Sequence, residues 1–180
     1  PTGRYGSAYA FDAATGTMII QGGTNNSVAF SETWEYTGTT WRQRLANPPG
    51  RVFGSATWDA ARSNVMLFGG TPGTANAFLG DTWVFDGQYW AQRFPGTSPS
   101  SREYHCTTYD SARQRVVLFG GVDASTTYNQ TWEWDGATWQ QQSTATAPPA
   151  REACALAYDS GRARVVLFGG LPYDSSTWEY

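Results

Sequence analysis

The sequence contains no lysine; all twelve of its basic residues are arginine. Arginine forks onto carboxylates and stacks on rings, which lysine does poorly. With nine tryptophans present, arginine–tryptophan stacking is the structural expectation. A codon bias toward GC-rich DNA is the alternative origin of the same absence. Charge is sparse as well: Asp, Glu, Lys and Arg make up 15% of the 180 residues, against roughly 25% in an average globular domain. The net charge of -3 leaves no basic face to neutralise phosphates, which excludes nucleic acid as a partner. No apolar run approaches the roughly 20 residues of a membrane-spanning helix. Histidine occurs once, as His105, and cysteine twice, as Cys106 and Cys154. A metal site needs several convergent ligands, so no metal centre and no cofactor are expected. A Ser–His–Asp relay around His105 is formally open, but nothing in the sequence favours it. The chain opens at Pro1 without an initiator methionine, which reads either as trimming or as part of a longer chain.

What is present is repetition. The phrase RVVLFGG stands at Arg115–Gly121 and again at Arg164–Gly170, with degraded copies at Asn64–Gly70 and Thr17–Gly23. Each copy lies inside a unit of about 50 residues. A turn-rich stretch ends in an arginine: Arg4, Arg51, Arg102 or Arg151. An aromatic–aspartate pair follows at Phe11-Asp12, Trp58-Asp59, Tyr109-Asp110 and Tyr158-Asp159, and the diglycine comes next. Thr-Trp closes the pattern at Thr33-Trp34, Thr82-Trp83, Thr131-Trp132 and Thr177-Trp178, with a further tryptophan at Trp41, Trp90 and Trp139.

Each unit reads as four antiparallel strands, A to D. The A–B and C–D links are short and rich in Asp and Gly, which is hairpin chemistry. No stretch keeps a helical period. Strand A carries small side chains, strand B is apolar on both faces, strand C carries large rings, and strand D is polar after its tryptophan. Small residues at one edge and bulky ones further out describe a wedge, and wedges packed around an axis make a propeller with strand A innermost. The diglycine supplies a sharp turn and a close backbone approach. The predicted fold is all-β: a single propeller segment over 1–180, of about 3.75 blades, at 4–46, 51–97, 102–146 and 151–180, the last lacking its outer strand.

The arrangement of arginine, hydrophobic strand, Gly-Gly, Thr-Trp and second tryptophan resembles the kelch-repeat β-propeller family. The subtype is similar to bacterial arrays of the form PPxR…YDxxRxRVVLFGG…DTWEWDGxTW, found nearly intact at Pro148–Gly170. Such arrays occur in large, often exported proteins, so the resemblance implies an extracellular or cell-surface location. Related arrays often carry His at the position of His105, which implies a structural, hydrogen-bonding role. Copper-radical oxidases of the galactose oxidase type share the architecture, but they need two histidine ligands and a Tyr–Cys cross-link, so no enzyme is expected.

Kelch-like rings usually close with six or seven blades. The chain is therefore expected to expose two apolar blade flanks, covered by further sequence or by a second copy, or else removed by a tight four-bladed ring. Cys106 and Cys154 lie on strand A of consecutive blades, offset by one residue. Facing blades meet by opposite faces, so the thiols can point at each other. An inter-blade disulfide, implying an oxidising compartment, and two buried thiols both remain open. Asn25-Asn26-Ser27 and Asn129-Gln130-Thr131 match the glycosylation sequon, a motif common by chance.

The expected functional surface is the face where the B–C and D–A loops emerge, because those loops vary over a repeating framework. Candidate ligand-binding residues there are Phe30, Phe78, Tyr104, Tyr128 and Tyr173, together with Arg51, Arg102 and Arg151. The arginines are candidates because kelch proteins that bind acidic peptides do so with arginines near this face; an arginine repeated in every blade more often braces the loop above it. The expected function is a non-catalytic scaffold for protein recognition or extracellular structural assembly. The alternatives are a glycan-binding module, since the aromatics also suit stacking on sugars, or an accessory domain of a secreted carbohydrate-active or oxidase-type enzyme.

Overall fold

The computed structural model describes residues 1–44 and 48–180; residues 45 and 46, assigned above to the end of the first blade, lie outside the described residues. Fifteen strands form four antiparallel sheets, and no helix is present among the described residues. The sheets stand in a ring as a four-bladed propeller whose last blade has three strands. Blade one holds β1 (Ala8–Asp12), β2 (Thr17–Gln21), β3 (Thr33–Tyr36) and β4 (Trp41–Arg44). Blade two holds β5 (Ser55–Asp59), β6 (Asn64–Gly70), β7 (Leu79–Phe85) and β8 (Trp90–Arg93). Blade three holds β9 (Cys106–Asp110), β10 (Arg115–Phe119), β11 (Thr131–Trp134) and β12 (Trp139–Gln142). Blade four holds β13 (Ala155–Asp159), β14 (Arg164–Phe168) and β15 (Thr177–Glu179).

The inner strands β1, β5, β9 and β13 meet their neighbours in turn, as small side chains allow. Around the axis they line a central cavity of about 460 Å³. The two faces of strand B serve two interfaces, following the period-two alternation of a strand. In β10, Val116 and Leu118 pack with Met66 and Phe68 of blade two, while Phe119 packs with Leu167 of blade four. The largest fully buried side chains are Trp134 and Trp139, both enclosed in the interface between blades two and three.

The rim tryptophans of blades two and three also lock the preceding blade. Trp90 Nε1 donates to Thr33 Oγ1 at 2.9 Å, and Trp139 Nε1 donates to Thr82 Oγ1 at 2.9 Å. The aromatic before the A–B aspartate does the same at the opposite end. Its hydroxyl accepts the backbone N–H of the previous blade's turn, Ala61 to Tyr109 and Ala112 to Tyr158.

Cys106 and Cys154 are joined in a disulfide between blades three and four, with Cα atoms 5.9 Å apart. The expected arginine–tryptophan stacking takes another form. Arginines lie over Phe30, Tyr128 and Tyr180, while the tryptophans fill interfaces. Strand A of blade three begins at Cys106, not directly after Arg102. The cause is Tyr104, whose φ of 55° breaks the extended run.

The outer flanks of blades one and four are the exposed ones. Phe168 is 52% exposed, where its counterparts Phe68 and Phe119 are 0% and 2%. On the other flank, Tyr9 and Phe11 stand in solvent, and Trp41 is 38% exposed where Trp139 is 1%.

Candidate functional site

The loop face is built outward from the repeated arginines. Arg51 donates from Nη1 to the Gly69 carbonyl at 3.0 Å and forks onto Asp81 with two bonds of 2.8 Å. Arg102 reaches the Gly120 carbonyl at 3.0 Å and Gln130 Oε1 at 2.7 Å. Arg151 reaches the Gly169 carbonyl at 3.0 Å and Asp174 at 2.6 Å. Arg4 repeats the pattern with Gly22 and Glu32. The acceptors Glu32, Asp81 and Gln130 each also take the indole N–H of a strand C tryptophan, at Trp34, Trp83 and Trp132. The brace thus joins the start of strand A, the diglycine corner and strand C.

The same arginines tie blade to blade through their backbones. The carbonyls of Arg51, Arg102 and Arg151 accept the N–H of Gly23, Gly70 and Gly121 in the preceding blade, at 2.8, 2.8 and 3.0 Å. The first glycine of each pair makes room for that approach. A Cβ on Gly22, Gly69 or Gly120 would lie 2.3, 2.7 or 2.4 Å from the following arginine's carbonyl oxygen.

Arg51, Arg102 and Arg151 are therefore enclosed, with their guanidinium groups committed to internal partners. Burial works to raise the Asp81 carboxyl, but the Arg51 bonds and charge, with Trp83, hold it below its ordinary value. Arg102 has a neutral amide where Arg51 has a carboxylate. Burial takes its pKa down to about 10, with Tyr128 and Asp123 opposing the shift. Tyr128 covers that guanidinium, its ring centroid 3.8 Å from Cζ, and hydrogen-bonds Asp123. Phe30 covers Arg4 in the same way at 4.3 Å. Of the remaining aromatic candidates, Phe78 lines a cleft between blades one and two, and Tyr173 is 96% exposed.

Tyr104 belongs to a belt that sequence reasoning did not find. The residues two beyond each arginine, Gly6, Phe53, Tyr104 and Ala153, all take the left-handed conformation. Each of the last three donates its N–H to the carbonyl of its counterpart in the preceding blade, at 2.7, 3.0 and 2.7 Å. The rings of Tyr5, Phe53 and Tyr104 form a row, with centroids 6.2 and 4.3 Å apart. Glu103, beside Tyr104, is held by a bridge to Val122, and its Oε2 is buried with no hydrogen-bond partner among the described residues. Burial, then the charge of Glu152, raise its pKa. The available signal was variation: the two positions after an invariant arginine read Tyr-Gly, Val-Phe, Glu-Tyr and Glu-Ala.

His105 is held mainly by packing, with the hydrogen bonding expected of it reduced to a weak interaction with the Phe68 backbone. It is buried, its ring meets Phe68 edge-on with centroids 5.4 Å apart, and neither nitrogen has a hydrogen-bond partner among the described residues. Burial and the Arg102 charge push its pKa down to about 3, against a smaller opposing pull from the Phe68 backbone. No grouping of three metal-ligating side chains occurs among the described residues.

Residues 33–178 match the family model of the KLHDC2/KLHL20/DRC7 Kelch-repeats domain. The chain belongs to the kelch-repeat family. No curated protein matches it significantly. Kelch repeat domains are generally non-enzymatic scaffolds that mediate protein interactions. In this kelch propeller the loop face rests on four buried braces and one belt of backbone bonds.

Removing one partner of a buried pair leaves the other uncompensated, so Arg51→Ala is expected to cost about 3–5 kcal/mol. Arg51→Lys should recover less than half, because an ammonium cannot fork onto Asp81. Urea unfolding curves measure both. His105 gives a pH signature. Its folded pKa lies below the ordinary 6.5, so the unfolded state binds the proton first as pH falls. Its contribution is intact above about pH 6.5 and is lost progressively toward pH 3, amounting to about 2 kcal/mol at pH 5. The difference in unfolding free energy between the natural chain and His105→Phe should change by that amount between pH 7 and pH 5.

Proposed function

We propose that this kelch propeller is a non-catalytic scaffold for protein recognition or extracellular structural assembly, binding through the face of the B–C and D–A loops. The supporting observation is the contrast between backbone and sequence on that face. Each corner is held by the same arginine–glycine bonds, while the loops above share almost no residues. Conserved geometry under variable side chains is how a rigid platform presents a specific surface. The buried arginines act as supports, and the contact surface is carried by the exposed rings and loop side chains. The Cys106–Cys154 disulfide favours an oxidising compartment, in keeping with an extracellular or cell-surface location. The test is a selection from displayed peptides run beside a glycan array. Peptide ligands should lose binding on Tyr173→Ala or Phe78→Ala and keep it on Gln141→Ala at the rim. Glycan ligands alone, or binding abolished only at the rim, would overturn the reading.

We further propose that the outer flanks of blades one and four are covered by further kelch blades, of the same polypeptide or of a second copy. Four features of the internal interfaces are left unpaired there. Phe168, Tyr9 and Phe11 are exposed, and so is Trp41, whose counterparts lock onto a preceding threonine. A Cβ on Gly169 would touch nothing within 4 Å, although its φ of 70° keeps the shape that elsewhere admits an arginine carbonyl. The Gly6 N–H and the Ala153 carbonyl, the two ends of the belt, have no partner among the described residues. Sedimentation of residues 1–180 should show concentration-dependent association that Phe168→Arg suppresses. A monomer at every concentration would overturn the proposal.

A further inference from the structure

The cleft between the first two blades on the loop face measures about 340 Å³. Tyr5, Phe53 and Phe78 line it, with Asn26 and Asn76 from the B–C loops of blades one and two and Glu103 from blade three. The rings are held by the backbone rather than by chance. Phe53 has a φ of 58°, and its N–H is bonded to the Gly6 carbonyl. Gly6 leaves the space the ring needs, since a Cβ there would lie 2.7 Å from Phe53 Cε1. Left-handed backbone under a bulky ring is costly and persists where the surrounding bonds enforce it. Tyr104 continues the row toward Glu103.

Charge decides what the cleft suits. Every arginine at this face is bonded to a diglycine carbonyl and a loop acceptor. Glu32, Asp81 and Asp174 are each paired with one of them. Glu103 and Glu152 take part in none of the ion pairs among the described residues. A half-buried carboxylate beside a second like charge is stabilised when a cation reaches it. A cationic side chain supplies the counter-charge that Glu103 lacks, and the exposed Tyr5 ring attracts the same charge. A sugar would use the rings and leave the charge unanswered; an acidic peptide would be repelled.

We propose that this cleft binds a lysine or arginine side chain carried on an extended segment of a protein partner, with Glu103 as the counter-charge and the Tyr5–Phe53 row as the platform. The proposal rests on the loop-face reading and gives it a ligand class. It also reverses the charge expected from the repeated arginines, because those are spent inside the fold.

The test uses immobilised nine-residue peptides of glycine and serine carrying three lysines, three arginines, three acetyl-lysines or three glutamates. The whole chain should bind the lysine and arginine peptides at least tenfold better than the other two. Glu103→Gln, which keeps the shape and removes the charge, should lower that binding at least fivefold. Thr74→Arg, an exposed change that sets a fixed cation at the rim of the cleft, should abolish it; near-UV circular dichroism checks that both variants are folded. Preference for glutamate or acetyl-lysine, or a lysine preference untouched by both variants, overturns the proposal. If the preferred peptides are acidic or neutral and Tyr173→Ala or Phe78→Ala abolishes their binding, only the cationic assignment falls. If no peptide binds the loop face at all, the loop-face reading falls with it.

Discussion

Each blade is closed at its corner by an arginine that has left water. A buried guanidinium is tolerated only when its donors are answered, and here they are answered by a diglycine carbonyl and by an acceptor just before, or in the first residues of, strand C. Three elements distant in sequence are therefore committed together. The same residue's carbonyl reaches back to the previous blade, so the bond that completes one blade also seats it on its neighbour. The glycines follow from this: a side chain on the first of each internal pair would occupy the place of the incoming oxygen. Loop shape, blade spacing and the position of the aromatic belt are all consequences of that clamp.

The clamp also separates the roles of residues that share a face. Arginine, the residue type most suggestive of acidic ligands, is turned inward and neutralised. The surface above is left to tyrosine, phenylalanine, asparagine and glutamate. Phe30 and Tyr128, which look like contact residues in the sequence, lie over Arg4 and Arg102 and serve partly as their covers. The loop face is thus weakly acidic and aromatic over a floor of hidden positive charge.

Most of the architecture is legible from spacing alone. The four-strand unit, the order of its strands, the two-sided packing of strand B and the inner place of strand A all follow from repeated small, apolar and bulky positions, and the coordinates agree. The disulfide was legible as one of two options, because a one-residue offset on facing strands brings the sulfurs onto the same interface. Other features escaped for definable reasons. Strand A starts late because Tyr104 adopts a conformation that its side chain gives no hint of. The partners of the arginines lie 23 to 30 residues away, and no local rule links Arg51 to Asp81 or Arg151 to Asp174. Phe53 and Glu103 were missed because attention to repetition passes over the positions that change. His105 looked like a hydrogen-bonding residue, but it lies just ahead of β9, buried edge-on against Phe68.

The rim tryptophans have a consequence for how such a molecule can lengthen. Trp90 finishes blade one and Trp139 finishes blade two, each through a threonine in the blade before. Insertion of one entire module brings in both a donor and an acceptor, so every latch is matched however many modules are strung together. An insertion of half a module strands an indole on one side and a hydroxyl on the other. Gene duplication in whole-unit steps is therefore the route of growth that this geometry admits without redesign.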